Sequence, residues 1–207
     1  MIEVRNVTLK TREYTILDNV SIKADKGEIV GLVGGNGSGK TMLMKCICGF
    51  LSSFSGQIIV GGKEIGKEID FPENVGILIE TPGFIPYYSG FKNLKILADL
   101  RGSITEEDIK SYMKMVGLDP ELKRAVRKYS LGMRQRLGLA QALMEQPELL
   151  ILDEPFNGLD KDMVLHIRKV LLEEKEKGTT ILLSSHNSDD IELLCDRQYH
   201  LDAGKII

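Results

Sequence analysis

The sequence feature that most constrains the fold is a glycine-rich segment that matches the pattern G-x-x-x-x-G-K-[ST] at every position. The apolar run Ile29–Val33 precedes it, as expected of a strand buried on both faces, and a helix is predicted to follow over about residues 40–48. Glycines let the backbone wrap closely around a phosphate, and the helix N-terminus adds partial positive charge. We therefore predict a phosphate-binding loop, in which Lys40 reaches the β- and γ-phosphates of a nucleotide and Thr41 binds Mg²⁺. The loop consists of Gly34, Gly35, Asn36, Gly37, Ser38, Gly39, Lys40 and Thr41.

Two carboxylates follow a second apolar run, which is also typical of a buried strand. Leu149–Leu152 is succeeded at once by Asp153 and Glu154, which would emerge at the carboxyl end of the strand, where ligands bind in open α/β sheets. Asp153 is predicted to hold Mg²⁺, and Glu154 is predicted to polarise the water that attacks the γ-phosphate. The combination predicts a nucleoside triphosphatase. The Asn-Lys-x-Asp motif by which GTPases read guanine is absent from the sequence, so that branch is set aside.

The order of the predicted elements indicates the fold class. Short strands come first, at residues 2–7, 14–17 and 20–24, and strands alternate with helices again from residue 149. Between them lies a helical pattern, which includes a helix at residues 104–116 with Thr105 and Asp108 as a capping pair. We predict an α/β fold: a P-loop NTPase core with a mostly parallel sheet, an N-terminal antiparallel β layer and a helical insertion at about residues 82–135. A length of 207 residues suits a single domain over residues 1–207.

Composition argues against several classes of protein. Lys and Arg number 27 against 30 Asp and Glu, a net charge of −3, which argues against a dedicated nucleic-acid-binding protein. The longest apolar stretches are far shorter than the ~20 residues of a membrane-spanning helix, and the N-terminus lacks the layout of a signal peptide. The chain is therefore expected to be cytoplasmic or on the cytosolic side of a membrane. Its 3 cysteines, an odd number, are interpreted as buried thiols in a reducing compartment.

Three further motifs occur in order along the chain. Residues 129–137 read Tyr-Ser-Leu-Gly-Met-Arg-Gln-Arg-Leu, residues 157–160 read Asn-Gly-Leu-Asp, and residues 184–186 read Ser-Ser-His. Together with the phosphate loop and the pair Asp153 and Glu154, this order resembles that of the ATP-binding subunit of an ABC transporter. The resemblance covers essentially the whole chain.

The resemblance implies an activity and a set of partners. Such subunits hydrolyse ATP with Mg²⁺, dimerise around two ATP molecules as homodimers or heterodimers, and drive transport through separate transmembrane permease subunits. The chain would then lie peripherally on the inner face of the cell membrane, without a nucleic-acid partner. One alternative is a translation factor built on the same ATPase, which usually carries two copies and a basic linker. Another is a DNA-repair or chromosome-structure ATPase, which needs long coiled-coil heptads; the sequence has neither feature.

The resemblance also assigns roles to single residues. Ser130 and Gly132 match the signature motif, which reaches across the dimer to the γ-phosphate of the other subunit's ATP, although positions 131 and 133 depart from Leu-Ser-Gly-Gly-Gln. Asp160 matches the loop that crosses the dimer interface. His186 matches the switch histidine that contacts the γ-phosphate. A lone histidine after a strand is more often structural, so the assignment of His186 depends on its place among the other motifs.

Position 80 departs from the family pattern. After the strand predicted at residues 75–79 the family has a glutamine whose side chain contacts Mg²⁺ and the attacking water, whereas this chain has Glu80. A glutamate there is found in a subgroup, the exporters of the bacitracin and lantibiotic-immunity type. The resemblance implies a catalytic and metal-binding role for Glu80. The resemblance to this subgroup also implies export of an antimicrobial peptide or drug-like compound, whereas the motifs themselves leave the direction of transport and the substrate open. The alternative for Glu80 is an exposed loop carboxylate.

The roles of Tyr14 and of a run of large side chains after residue 82 each allow two interpretations. The family stacks adenine on an aromatic residue whose usual place falls near Thr11; Tyr14 lies slightly later and either stacks on the base or packs on the sheet. The resemblance implies that the helical insertion contacts the permease. A run of large side chains there forms either a docking patch or part of the core. These side chains are Phe84, Ile85, Tyr87, Tyr88 and Phe91.

Overall fold

The structure, a computed structural model, describes residues 1–80, 82–102 and 104–207. Its strands within these ranges are β1 (Ile2–Lys10), β2 (Thr15–Ala24), β3 (Ile29–Val33), β4 (Phe54–Val60), β5 (Lys63–Glu64), β6 (Val75–Leu78), β7 (Leu149–Leu152), β8 (Thr180–Ser185), β9 (Arg197–Asp202) and β10 (Lys205–Ile206). Its helices are α1 (Lys40–Ile47), α2 (Gly90–Arg101), α3 (Glu106–Met115), α4 (Leu131–Leu143), α5 (Lys161–Glu176) and α6 (Ser188–Leu194). The predicted α/β class is confirmed.

Two sheets organise these elements. The first runs β2-β1-β4-β5 and is antiparallel throughout, which confirms the predicted N-terminal layer. The second runs β10-β9-β3-β8-β7-β6 and is parallel from β9 to β6, with β10 antiparallel at the edge. Since β3, β8 and β7 are neighbours and parallel, the loops that follow them meet at one edge of the sheet, which is where ligands bind in this class of fold.

The N-terminal layer differs from the prediction at one point. The sequence predicts separate strands at residues 14–17 and 20–24, whereas the structure has the single strand β2, and β1 continues past residue 7 to Lys10. Asn19 has a φ of 55°, and the β1–β2 register shifts on both sides of the Val7–Val20 pair. Asparagine tolerates this left-handed conformation, so the polar pair Asp18 and Asn19 makes a bulge within one strand rather than a turn between two.

The parallel sheet is buried on both faces. Leu149 and Ile151 of β7 pack in the core shared with the N-terminal layer and α1, whereas Leu150 and Leu152 pack in the core shared with the helices. This arrangement explains why the β7 sequence is apolar without alternation. Side chains of α2, α3 and α4 belong to the same core as those of β7 and β8, so the helical region and the sheet are packed together rather than joined by a linker.

The region predicted to be helical contains α2, α3 and the first part of α4. The predicted capping pair is confirmed, since Thr105 accepts a hydrogen bond from the backbone N of Asp108 and the carboxylate of Asp108 accepts one from the backbone N of Thr105. Residues 82–89 are not helical: α2 begins after Ser89, and Asn93 bonds to both the N and the O of Ile85, which holds this loop against the helix. Across the described ranges, no helix has the length and apolar character needed to cross a membrane.

The cysteines are free thiols at buried or half-buried positions. Cys46 and Cys48 lie in the core beneath the N-terminal layer, and Cys195 packs against the core shared with the helices. Burial raises the pKa of each thiol to about 12, so the thiols stay protonated and unreactive at neutral pH. These positions agree with their interpretation as buried thiols.

Candidate active site

The phosphate loop connects β3 to α1, and close contacts explain its glycines. A Cβ on Gly34 would stand 2.3 Å from the carbonyl oxygen of Leu201. A Cβ on Gly39, whose φ is 111°, would stand 2.8 Å from Cδ2 of Leu17. The loop is therefore packed against β2 and β9, and larger residues at these two positions would displace it.

Lys40 is held inside this loop. Its side chain is buried, and its Nζ donates hydrogen bonds to the carbonyl oxygens of Gly34 at 2.6 Å and Gly35 at 3.1 Å. Helix α1 starts at this residue with no capping side chain and no acidic residue in its first turn. The uncapped N–H groups, the helix dipole and the ammonium together form a site that favours an anion.

Asp153 lies beside the loop and is bound at both carboxylate oxygens. Oδ2 accepts a hydrogen bond from Oγ1 of Thr41 at 2.6 Å, and Oδ1 accepts one from Oγ of Ser184 at 2.6 Å. The sheet register explains the second contact: Leu152 of β7 pairs with Leu183 of β8, so the next residue of each strand lies side by side. Because Thr41 donates to Asp153, its oxygen lone pairs remain free to bind a metal.

Glu154 has a strained backbone that its neighbours hold in place. Its φ is 49°, which is uncommon for a residue other than glycine. Its N–H donates to Oγ of Ser184 at 2.9 Å, and its carbonyl oxygen accepts from Nε2 of Gln135 at 2.9 Å. Strain that is stabilised from both sides in this way is typical of functional sites.

The structure brings His186 to Glu154. Nδ1 of His186 lies 2.8 Å from Oε2 of Glu154, and the histidine side chain is 65% exposed. If the Glu154 carboxylate is ionised, it only accepts hydrogen bonds and Nδ1 is the donor. A histidine and a carboxylate predicted separately, from different motifs, thus form one hydrogen-bonded pair next to the phosphate loop.

The signature segment touches the loop that precedes α5. A Cβ on Gly132 would stand 2.5 Å from the carbonyl oxygen of Gly158, and a Cβ on Gly158, with φ 74°, would stand 2.8 Å from Cδ2 of Leu131. Gly132 is needed because the two backbones approach closely there, and Gly158 is needed because of its positive φ and the Leu131 side chain packed against it. The two segments predicted to face a dimer partner therefore form one surface.

Ser130 and Asp160 each begin a helix. Oγ of Ser130 accepts from the backbone N of Met133 at 3.2 Å and caps α4, while Oδ1 of Asp160 accepts from the backbone N of Met163 at 2.9 Å and caps α5. Both residues are exposed. Capping explains these residue types structurally, whereas their roles toward a partner stay predictions.

Glu80 forms an ion pair that the sequence does not reveal. Its Oε1 lies 2.6 Å from Nζ of Lys45 on α1, and its φ is 56°. Both residues line a groove of about 600 Å³ whose wall also includes Phe50, Pro82 and Leu100. The cavity around the phosphate loop is separate and is not lined by Glu80. The metal-binding and catalytic roles of Glu80 stay predictions.

Tyr14 and the aromatic segment divide between surface and core. Tyr14 is 63% exposed in the hairpin between β1 and β2, just before Ile16, which lines the cavity of the phosphate loop. The ring is therefore accessible, and its stacking on adenine stays a prediction. In the segment after residue 82, Phe84 and Phe91 pack on the core, whereas Tyr87 is exposed. The segment is therefore neither wholly a surface patch nor wholly part of the core.

Three residues of the site escaped the sequence prediction of site residues: Ser184, Gln135 and Lys45. Ser184 binds both Asp153 and the backbone of Glu154; it belongs to the Ser-Ser-His motif, but the resemblance assigns a role to His186 alone. Gln135 and Lys45 act on residues that are distant in sequence, Glu154 and Glu80. Partners of this kind become visible only when the strand order and the register are known.

The residues of the phosphate loop fit a nucleotide with a divalent metal. A cavity of about 200 Å³ is lined by Ile16, residues 36–42, Asp153 and Glu154. Among the described residues, Ser38 Oγ is a buried oxygen without a hydrogen-bond partner, which suits a ligand that binds there. Thr41 and Asp153 supply hard oxygen atoms, and Mg²⁺ commonly takes one or two such protein ligands together with phosphates.

Comparison with known proteins gives a consistent result. The family model described as ABC transporter matches residues 17–157. The ABC transporter ATP-binding protein YybJ of Bacillus subtilis is 43% identical over 206 residues, covering 100% of this chain and 94% of that protein. The bacitracin transport ATP-binding protein BcrA of Enterococcus faecalis is 41% identical, covering 95% of this chain and 64% of that protein. The lantibiotic transport ATP-binding protein SrtF of Streptococcus pyogenes is 38% identical, covering 100% and 89%.

A solved structure supports the fold independently. The dimeric, post-hydrolysis form of the ATP-binding cassette MJ0796 with ADP and Pi superposes with a TM-score of 0.88 at 22% identity, covering 100% of this chain and 96% of that chain. At this identity the likeness establishes the fold. With the family match over most of the chain, it leads to one conclusion: this chain belongs to the ABC transporter family and is an ATP-binding, ATP-hydrolysing subunit of that family.

Proposed function

We propose that the chain is the motor subunit of an exporter of peptide antibiotics, which dimerises around two Mg-ATP and drives separate permease subunits. The observation that carries the proposal is the hydrogen-bonded line from Thr41 through Asp153 to Ser184, with Ser184 bonded to the backbone of Glu154 and the Glu154 carboxylate bonded to His186. Relatives named for bacitracin and lantibiotic transport support the class of substrate. The chain would work peripherally on the inner face of the membrane.

The proposed division of labour follows from the contacts. Lys40 and the N-terminus of α1 bind the phosphates, and Glu154 accepts the proton of the attacking water at its carboxylate, where it already bonds to His186. Thr41 and Asp153 would hold Mg²⁺, and Glu80 would be a further ligand. The metal, when bound, supplies positive charge that offsets the charge on the phosphate oxygens. Ser184 and Gln135 keep the Glu154 backbone in the conformation that aims its side chain.

Dimerisation is part of the proposal because half of the predicted site faces outward. Ser130 stands exposed at the N-terminus of α4, where the helix dipole favours an anion, and Gly132 packs against the loop that leads to Asp160. These groups would serve the nucleotide of the second subunit. The dimer of MJ0796, whose fold this chain shares, supports such an arrangement. A monomer would hydrolyse ATP slowly because its one site lacks the partner's signature segment.

The groove beside Glu80 is the proposed contact with the permease. It lies between β6, α1 and the helical region, and its rim carries Leu100, which is 80% exposed, and Phe50, which is 53% exposed. Phe50 is next to Phe71, with 6.3 Å between ring centroids, and Phe71 is also exposed. An apolar groove with an ion pair in its wall suits an amphipathic helix from a permease loop.

Leu100→Glu tests the permease contact. A carboxylate at the apolar rim should lower the recovery of a co-expressed candidate permease with the chain by at least ~tenfold, the scale of a buried interface residue. ATP binding by the purified chain should be unchanged. Leu193→Glu is the matched control, because Leu193 is 63% exposed on α6 and does not line the groove. Equal permease recovery with both variants would count against docking in this groove.

Glu80→Gln tests the predicted metal contact. An anionic oxygen is a better Mg²⁺ ligand than an amide oxygen, while a carboxylate near the γ-phosphate repels ATP when no metal is present. We expect metal-free ATP to bind the wild type more weakly than Glu80→Gln, and Mg-ATP to bind both about equally. Titrations with EDTA and with Mg²⁺ measure this. Lys45→Met is the control for loss of the ion pair alone, and an identical metal dependence in wild type and Glu80→Gln would return Glu80 to a surface role.

A further inference from the structure

A buried ion pair joins α5 to α6 close to the active site. Nε and Nη2 of Arg168 both donate to Oδ1 of Asp190, and the Nε bond is 3.0 Å long. The Asp190 side chain is 3% exposed and that of Arg168 is 13% exposed. Asp190 also lines a cavity together with Glu154 and His186. None of the roles proposed above uses this pair.

The second oxygen of Asp190 connects the pair to the chain on both sides of His186. Oδ2 accepts a hydrogen bond from Oγ of Ser185 at 2.9 Å, and the same Oγ accepts one from the backbone N of Asn187 at 3.1 Å. Ser185 is the last residue of β8 and is buried. One carboxylate thereby fixes the residue before His186 directly and the residue after it through a single hydroxyl.

His186 itself has little that could fix its ring. The side chain is 65% exposed, and among the described residues its ring is hydrogen-bonded to Glu154 through Nδ1. An exposed side chain is not held by packing, so its direction depends on the backbone that carries it. Whatever fixes Ser185 and Asn187 therefore also sets the position of the imidazole relative to Glu154.

We propose that Arg168, Asp190 and Ser185 are positioning residues that hold His186 against Glu154. A buried ion pair contributes little stability compared with an apolar pair of the same size, so its contribution here is to geometry. Arg168 lies on α5, the helix capped by Asp160, and so the network also ties the His186 loop to the helix that begins at the predicted dimer contact. The inference rests on the proposed catalytic roles of His186 and Glu154.

Ser185→Ala tests the network, because it removes both hydrogen bonds of the connecting hydroxyl. We expect kcat for Mg-ATP to fall by about tenfold to a hundredfold, the scale of a misplaced catalytic group, with KM nearly unchanged. Asp190→Asn, which keeps an acceptor oxygen but removes the charge facing Arg168, should act in the same direction. Thermal unfolding of each variant shows whether it is folded. The kcat of a variant counts for or against the proposal only if that variant is folded.

Lys175→Met is the matched control. Lys175 lies on the same helix as Arg168 and is ion-paired with Asp196, which follows α6. The second carboxylate oxygen of Asp196 accepts a hydrogen bond from the backbone N of Ile29. Removing this pair loosens the α5–α6 connection away from His186. A purely structural role for the ion pairs predicts similar losses of kcat in Lys175→Met and Ser185→Ala, and that result would overturn the proposal.

A spectroscopic measurement separates this inference from the proposed function. The chain has 3 histidines, and His186→Gln identifies the imidazole ¹⁵N signals of His186. The hydrogen-bonded Nδ1 signal should persist in Lys175→Met and be lost in Ser185→Ala. Wild-type turnover by His186→Gln would refute the catalytic role of His186 itself. If His186→Gln lowers turnover but Ser185→Ala keeps both the signal and kcat, the positioning role is wrong.

Discussion

Replacing Glu154 with glutamine should abolish most ATP turnover while leaving ATP binding intact. The amide keeps the shape of the side chain but is a far poorer proton acceptor, and general-base catalysis typically contributes a factor of about 10²–10⁴. The backbone should stay in place, because its two hydrogen bonds, to Ser184 and Gln135, involve main-chain atoms of Glu154. Steady-state phosphate release measures the effect.

The same variant should accumulate as an ATP-bound dimer, because in the proposed dimer the two ATP molecules hold the subunits together until they are hydrolysed. Size-exclusion chromatography with Mg-ATP detects the dimer. Glu192→Gln, which removes an exposed carboxylate on α6, is the control and should behave as wild type. Hydrolysis by Glu154→Gln at the wild-type rate would mean that another group accepts the proton.

Lys40→Ala should lower ATP affinity by at least ~100-fold, because charged hydrogen bonds to phosphate contribute about 1.5–3 kcal/mol each and the ammonium can make more than one. In the structure Nζ donates to the carbonyl oxygens of Gly34 and Gly35, so it is already held over the loop. Equilibrium titration with labelled ATP measures the change. The control Lys63→Ala removes an exposed lysine paired with Glu73 and should leave the ATP affinity unchanged. Equal ATP affinities in the wild type, Lys40→Ala and Lys63→Ala would reject the loop as the nucleotide site.

The parts of the site that the sequence predicts are those written in contiguous motifs. Lys40 and Thr41 follow from a local pattern, and Asp153 follows because the carboxyl ends of parallel strands share one edge of the sheet. Ser184 could not be assigned, because its contact with Asp153 depends on β7 and β8 being neighbours in a particular register. The bond between His186 and Glu154 depends on the same register.

Other features lay beyond the sequence because local geometry decides them. The split predicted within β2 was wrong since Asn19 forms a bulge, and a polar pair alone does not tell a bulge from a turn. The partner of Glu80 is Lys45, which is distant in sequence and comes close only in the folded chain, where both residues line the same groove. The buried network of Arg168 and Asp190 likewise joins two helices whose sequences give no sign of the contact.

The central claim is that each ATP is hydrolysed by groups from two copies of the chain, and mixing two inactive variants tests it most directly. Lys40→Ala should remove phosphate binding in its own subunit, whereas Ser130→Arg should block the signature segment, which we propose serves the partner's nucleotide. In a mixed dimer one site carries both lesions and the other carries neither. If the sites are shared, the mixture should hydrolyse ATP faster than either variant alone. With mixed dimers demonstrated by differential tagging, no recovery of hydrolysis at any mixing ratio would contradict a shared site.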